Sequence, residues 1–141
     1  MHPVALRGRS EPAAHALAAV RSACRHGSGS LIMVSGPPGI GKTAFLAEVR
    51  RQASRMDVTA VSGKCDPLRQ VSTGAPVIAM LRAGRRPLAG AEEYGQIVRL
   101  SDQPLLLAER IAAAFERAAA AQPVLASGLA ALQRRDRPTR R

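Results

Sequence analysis

Eight consecutive residues, Gly36-Pro37-Pro38-Gly39-Ile40-Gly41-Lys42-Thr43, constrain this chain more than anything else in it. They fit the spacing G-x-x-x-x-G-K-[ST], in which a flexible backbone turns successive N–H groups toward one set of anionic oxygens. Glycines at 36, 39 and 41 permit torsions and close approaches that a Cβ would block. The pattern has meaning only between a strand and a helix, and the flanking residues predict both. Leu31-Ile32-Met33-Val34 is a short apolar run bounded by Gly and Ser, which suits a strand buried on both faces. From Lys42 onward, Phe45, Leu46 and Val49 share one face of a predicted helix that carries Glu48, Arg50 and Arg51 on its wet side and ends near Arg55.

Phosphate binding is the chemistry this arrangement offers. The start of the helix near Gly41 supplies unpaired N–H groups and partial positive charge, and Lys42 adds a point charge for the β- and γ-phosphates. Thr43 places a hydroxyl where Mg²⁺ would sit. The ligand expected is therefore a purine nucleoside triphosphate with Mg²⁺. A Gly/Pro-rich turn with an incidental lysine is the bland alternative, and it does not account for strand, loop and helix occurring in order.

Hydrolysis demands more, namely an acidic residue at the end of a second apolar strand to hold Mg²⁺ and a polar group to position water. The acids after the loop are Glu48, Asp57, Asp66, Glu92, Glu93, Asp102, Glu109, Glu116 and Asp136. Only Asp66 closes a predicted strand, the one opening at Val58 to Val61 and ending at Gly63-Lys64-Cys65-Asp66. Because Ser62 and Gly63 interrupt that strand, Asp66 reads either as a metal-coordinating catalytic residue or as a turn or cap residue.

The remaining elements follow from periodicity. Ser10-Glu11-Pro12 starts a helix whose apolar positions Leu17, Val20 and Cys24 recur up to His26, before Gly27 to Ser30 end it. Pro76 to Leu81 suits a short helix, and the Gly, Pro and Arg content between Arg82 and Tyr94 suits an irregular segment. A long helix follows Asp102, with Pro104 in its first turn and Leu107, Ile111, Phe115 and Ala118 as its buried stripe to about Ala121. Pro123 to Leu129 has a strand's length, although Ser127 and Gly128 weaken it.

With 141 residues, the chain has room for one core, assigned here to residues 1–133, and a basic tail at 134–141. Arg134, Arg135, Arg137, Arg140 and Arg141 fill that tail, for which disorder is expected. Lys42 and Lys64 are the only lysines among 21 basic residues, and the net charge of +11 attracts polyanions at long range. Such charge on solvated faces is equally compatible with an Arg- and Ala-rich composition. Cys24 and Cys65, with His2, His15 and His26, lack the spacing of a zinc site and read as reduced thiols. No signal-peptide stretch opens the chain and no apolar run is long enough to span a membrane, so a cytoplasmic location is expected.

The order of these features resembles a known family. Leu6-Arg7-Gly8-Arg9 with Glu11, then Leu31 to Thr43, then Gly63-Lys64-Cys65-Asp66, looks like the N-terminal AAA-like, STAND-group P-loop ATPase domain of the large ATP-binding LuxR-type transcriptional regulators. The resemblance implies an α/β fold, a three-layer α/β/α arrangement on a mainly parallel sheet. It also implies ATP rather than GTP, and it sets Leu6, Gly8 and Arg9 near the adenine. It leads from the long helix into the strand that carries the Walker B acids, where the family has two Asp residues. Here Leu132, Gln133 and Asp136 fit the family order, but Ala130 and Ala131 occupy the acidic positions and Arg134 and Arg135 replace a Trp-Ala pair.

An Ala neither coordinates a cation nor orients water, so the resemblance implies binding with impaired hydrolysis. The expectation is a partial P-loop NTPase, truncated after the Walker B strand, with no helix-turn-helix to read DNA. So few strands leave apolar edges, for which a protein partner or self-association is the expected cover. Two other functions compete with a nucleotide-binding regulatory module. One is an active ATPase or small kinase using Asp66 or Glu93 as substitute carboxylate; the other is a basic nucleic-acid-binding fragment.

Overall fold

The computed structural model describes residues 8–64 and 74–129. Helix α1 (Ser10–His26) and helix α2 (Lys42–Ser54) begin and end close to where periodicity sets them. Strand β1 (Thr59–Lys64) follows, then three helices, α3 (Ala75–Met80), α4 (Ala91–Val98) and α5 (Pro104–Ala121), and strand β2 (Val124–Leu129). The two strands pair in parallel, with Thr59 opposite Val124 and Lys64 opposite Leu129. A parallel pair needs a long crossover, and here α3, α4 and α5 supply it.

Helices cover both faces of this small sheet. On one face Leu125 packs with Ala13, Ala16 and Leu17 of α1 and with Phe45 and Val49 of α2. On the other, Val61 and Val124 pack with Ile78, Met80, Leu81, Leu88, Ile97 and Leu107. Leu81 and Ile97 are fully buried there, and each such side chain contributes about 1.5–3 kcal/mol relative to exposure. The residues on each face alternate along both strands, as a pleated pair requires. The result is a partial α/β fold with a two-stranded sheet.

Helices α1 and α2 run parallel. Arg9, just before α1, meets Gly41, just before α2, while Val20 and Ala53, each about three turns further on, share a cluster with Val58. That alignment explains why Cys24 is exposed although it falls in the apolar repeat. Val20 already packs beside Ala53, next to the last residue of α2, so the final turn of α1 projects past α2.

Two expectations about local structure need correcting. Leu31 to Val34 does not form a buried strand: it makes no ladder, Leu31 is 91% exposed and Met33 is 82% exposed. Strand structure exists only by pairing, and among the described residues β1 and β2 pair with each other alone. Only Val34 packs inward, against the α1–α2 cluster. The stretch to Tyr94 is also not irregular throughout, because α4 starts at Ala91. Glu92 and Glu93 favour its first turn electrostatically and Ile97 anchors it, a helix that the preceding Gly- and Pro-rich residues conceal.

Candidate functional site

The octapeptide lies where α2 begins. Pro38 and Gly39 form a turn, which the N–H of Ile40 closes on the carbonyl of Pro37 at 3.4 Å. Gly39 and Gly41 have φ of 78° and 87°, a left-handed conformation that L side chains seldom adopt. Gly41 caps α2, and its carbonyl accepts the N–H of Phe45 at 3.0 Å. No acidic residue stands in the first turn of α2 and no side chain caps it. The partial positive charge and free N–H groups of that terminus are therefore not offset from within the helix.

Two cations fasten this loop at opposite ends. The ammonium of Lys42 donates to the carbonyls of Gly36 at 2.7 Å and Pro37 at 2.9 Å, folding the first residues of the loop back onto the last. The guanidinium of Arg9 donates to the carbonyl of Gly41 at 3.0 Å. Thr43 is exposed on the first turn of α2. Gly8 is exposed as well, with a φ of 76° immediately before α1.

The strands point at the loop. Ala53, near the end of α2, packs with Leu125 near the start of β2, while Arg50, a turn earlier, donates to Ser127 two residues later. Strand β2, and β1 parallel to it, thus run antiparallel to α2 and head for its loop end. Ligands of open α/β sheets bind at the carboxyl ends of the strands, where this loop lies. Ser127 is also the one buried polar side chain in the described core, and its hydroxyl donates to the carbonyl of Val61 at 3.4 Å.

Two of the described acids pair with arginines, and Asp57 lies away from the loop. Glu48 accepts hydrogen bonds from Arg51 and Gln52, and these, helped by the charges of Arg51 and Arg55, pull its carboxyl from 4.5 to about 2. Glu93 pairs with Arg117 at 2.6 Å, bridging α4 and α5. Asp57, with a φ of 55°, precedes β1 and so lies at the opposite end of the strands from the loop. Among the described residues no group of three or more His, Cys, Asp or Glu could hold a metal ion. Leu6, Asp66, Ala130, Ala131 and the tail 134–141 lie outside the described residues.

Periodicity and motif spacing therefore locate the loop, its lysine and its helix, but miss two links. Arg9 and Gly41 are 32 positions apart, and Arg50 and Ser127 are 77 apart. Neither pair carries a local signal, since each depends on how α1 and β2 dock against α2. No helix among the described residues is long and apolar enough to cross a membrane.

A family model described as AAA ATPase domain matches residues 5–139. No curated protein and no solved structure matches the chain.

Proposed function

This chain belongs to the AAA ATPase domain family, and we propose that it binds ATP with Mg²⁺ through Gly36, Pro37, Pro38, Gly39, Ile40, Gly41, Lys42 and Thr43. Membership supports nucleotide binding as such. The observation that carries the assignment to these eight residues is a start of α2 without a side-chain cap, formed by two glycines with positive φ and followed at once by Lys42. A loop of this shape suits a polyphosphate, because backbone N–H groups and the helix terminus face the anion without a Cβ in the way.

Lys42 would exchange the carbonyls of Gly36 and Pro37 for phosphate oxygens, and the hydroxyl of Thr43 would take a place on Mg²⁺. The bound cation would supply charge neutralisation between the phosphates. By the family resemblance Leu6, Gly8 and Arg9 would form the adenine side, a reading that the Arg9–Gly41 bond supports for Arg9.

The wider reading is a nucleotide-binding module of a LuxR-type transcriptional regulator with impaired hydrolysis. It rests on the sequence order Leu6-Arg7-Gly8-Arg9, the loop and Gly63-Lys64-Cys65-Asp66, and on Ala130 and Ala131 at the acidic positions. A partner or second copy covering the short sheet belongs to the same proposal, supported by the exposure of Leu31 and Met33 and by a sheet of two strands among the described residues. A substitute carboxylate is not favoured: Glu93 is committed to Arg117, and family membership favours a nucleotide over a nucleic acid as the ligand.

Phosphate release tests the hydrolytic half of this proposal. The expected result is saturable ATP binding with no release above background in the same samples. Release that disappears in Lys42→Ala would instead assign an active ATPase.

A further inference from the structure

We propose that Arg9 is a positioning residue for the phosphate loop, holding the carbonyl of Gly41 so that the loop keeps the conformation a polyphosphate needs. The inference rests on the phosphate-binding reading of Gly36 to Thr43 and adds to it a residue from outside the motif. Arg9 ends the segment before α1, and its Nη1 donates to the carbonyl of Gly41 at 3.0 Å across 32 positions of sequence. That carbonyl belongs to the residue capping α2 and already accepts the N–H of Phe45 at 3.0 Å. Arg9 therefore grips the junction at which the loop becomes helix.

The contact is close on both sides. A Cβ built on Gly41 would stand 2.6 Å from Nη1 of Arg9, so the guanidinium occupies the space that any larger residue at 41 would need. Arg9 is half-buried, whereas Gly36 to Ile40 are exposed. The exposed loop is thus held by Lys42 at its beginning and by Arg9 at its end. The rigid, always-charged fork of Arg suits such a task better than the flexible ammonium of Lys. Loss of a binding group's support acts on affinity through misplacement of the groups it holds, even without contact to the ligand.

The test compares ATP with inorganic tripolyphosphate, which offers the phosphates without base or sugar. Equilibrium binding of both, with Mg²⁺, is measured for the wild type, Arg9→Ala, Arg9→Lys and Lys42→Ala. The proposal expects Arg9→Ala to weaken tripolyphosphate by a factor of about ten, about 1.4 kcal/mol, and ATP by at least as much. Arg9→Lys keeps the charge but not the fork, and it should remain at least about threefold weaker than wild type for both ligands.

Loss confined to ATP would overturn the proposal by placing Arg9 on the nucleoside alone, and unchanged affinity for both would overturn it as well. Full recovery in Arg9→Lys would overturn it in favour of charge alone. Should Arg9→Ala not fold, Arg9→Lys decides by itself: weakening of tripolyphosphate as well as ATP supports positioning, and wild-type affinity contradicts it. A folded wild type that binds neither ligand, with Lys42→Ala no different, marks failure of the underlying phosphate-binding reading and overturns this inference with it.

Discussion

The ammonium nitrogen of Lys42 stands 2.7 Å from the carbonyl oxygen of Gly36, so the cation of the loop is bound to the loop's own first residue. This bond is at the surface, where a hydrogen bond is worth little because water competes for both partners. Lys42→Ala is accordingly expected to cost at most about 1 kcal/mol of stability in urea unfolding. A larger loss would mean that the closed loop is part of the fold.

Gly39 and Gly41 share a left-handed backbone but differ in their surroundings. A Cβ at 39 meets nothing within 4 Å, whereas one at 41 meets the Arg9 guanidinium. Gly39→Ala should cost about 1 kcal/mol from backbone strain alone, and Gly41→Ala more. A double-mutant cycle should assign about 0.5–3 kcal/mol of coupling to Gly41→Ala with Arg9→Ala, and additive costs would contradict the contact.

Gly63 marks a close approach of backbone to backbone. A Cβ there would collide with the carbonyl oxygen of Pro76, on α3, which is main chain and cannot rotate aside. Gly63→Ala should therefore displace α3 from β1 and cost about 1–3 kcal/mol, the range of overpacked cores. Gly128, whose Cβ would only touch Met80 at an ordinary 3.4 Å, should tolerate Ala far better. Equal costs at the two positions, by thermal or urea unfolding, would contradict this packing.

The carboxyl of Glu48 should titrate near 2 rather than 4.5. Because the folded value lies below the ordinary one, the contribution of this group to stability is complete above pH 4.5 and is lost as pH falls from there toward 2. The pair is at the surface, with the Arg51 side chain 43% exposed, so the effect is screened by salt. Carbon-detected NMR titration should show the midpoint moving up toward 4.5 in Arg51→Ala, and a midpoint that stays near 2 would assign the shift to Gln52 and Arg55 instead.

Helices were legible wherever one apolar stripe met a clear start or stop. Ser10–His26, Lys42–Ser54 and Pro104–Ala121 are framed by Pro, Gly or the motif itself. The four apolar residues at 31–34 misled because composition does not reveal whether a neighbouring backbone is free to pair. Gly63, which weakens a strand by propensity, is instead what lets α3 lie against the sheet. The site was half legible for a similar reason. Contiguous residues encode the loop and Lys42, but Arg9 joins it only through the parallel packing of α1 on α2.

Equilibrium titration with ATP and Mg²⁺, comparing wild type with folded Lys42→Ala, tests the central claim most directly. The account predicts saturable binding by the wild type and a loss of at least about tenfold, about 1.4 kcal/mol, in the variant. Equal affinity in the two proteins, or no binding by a folded wild type, would contradict it.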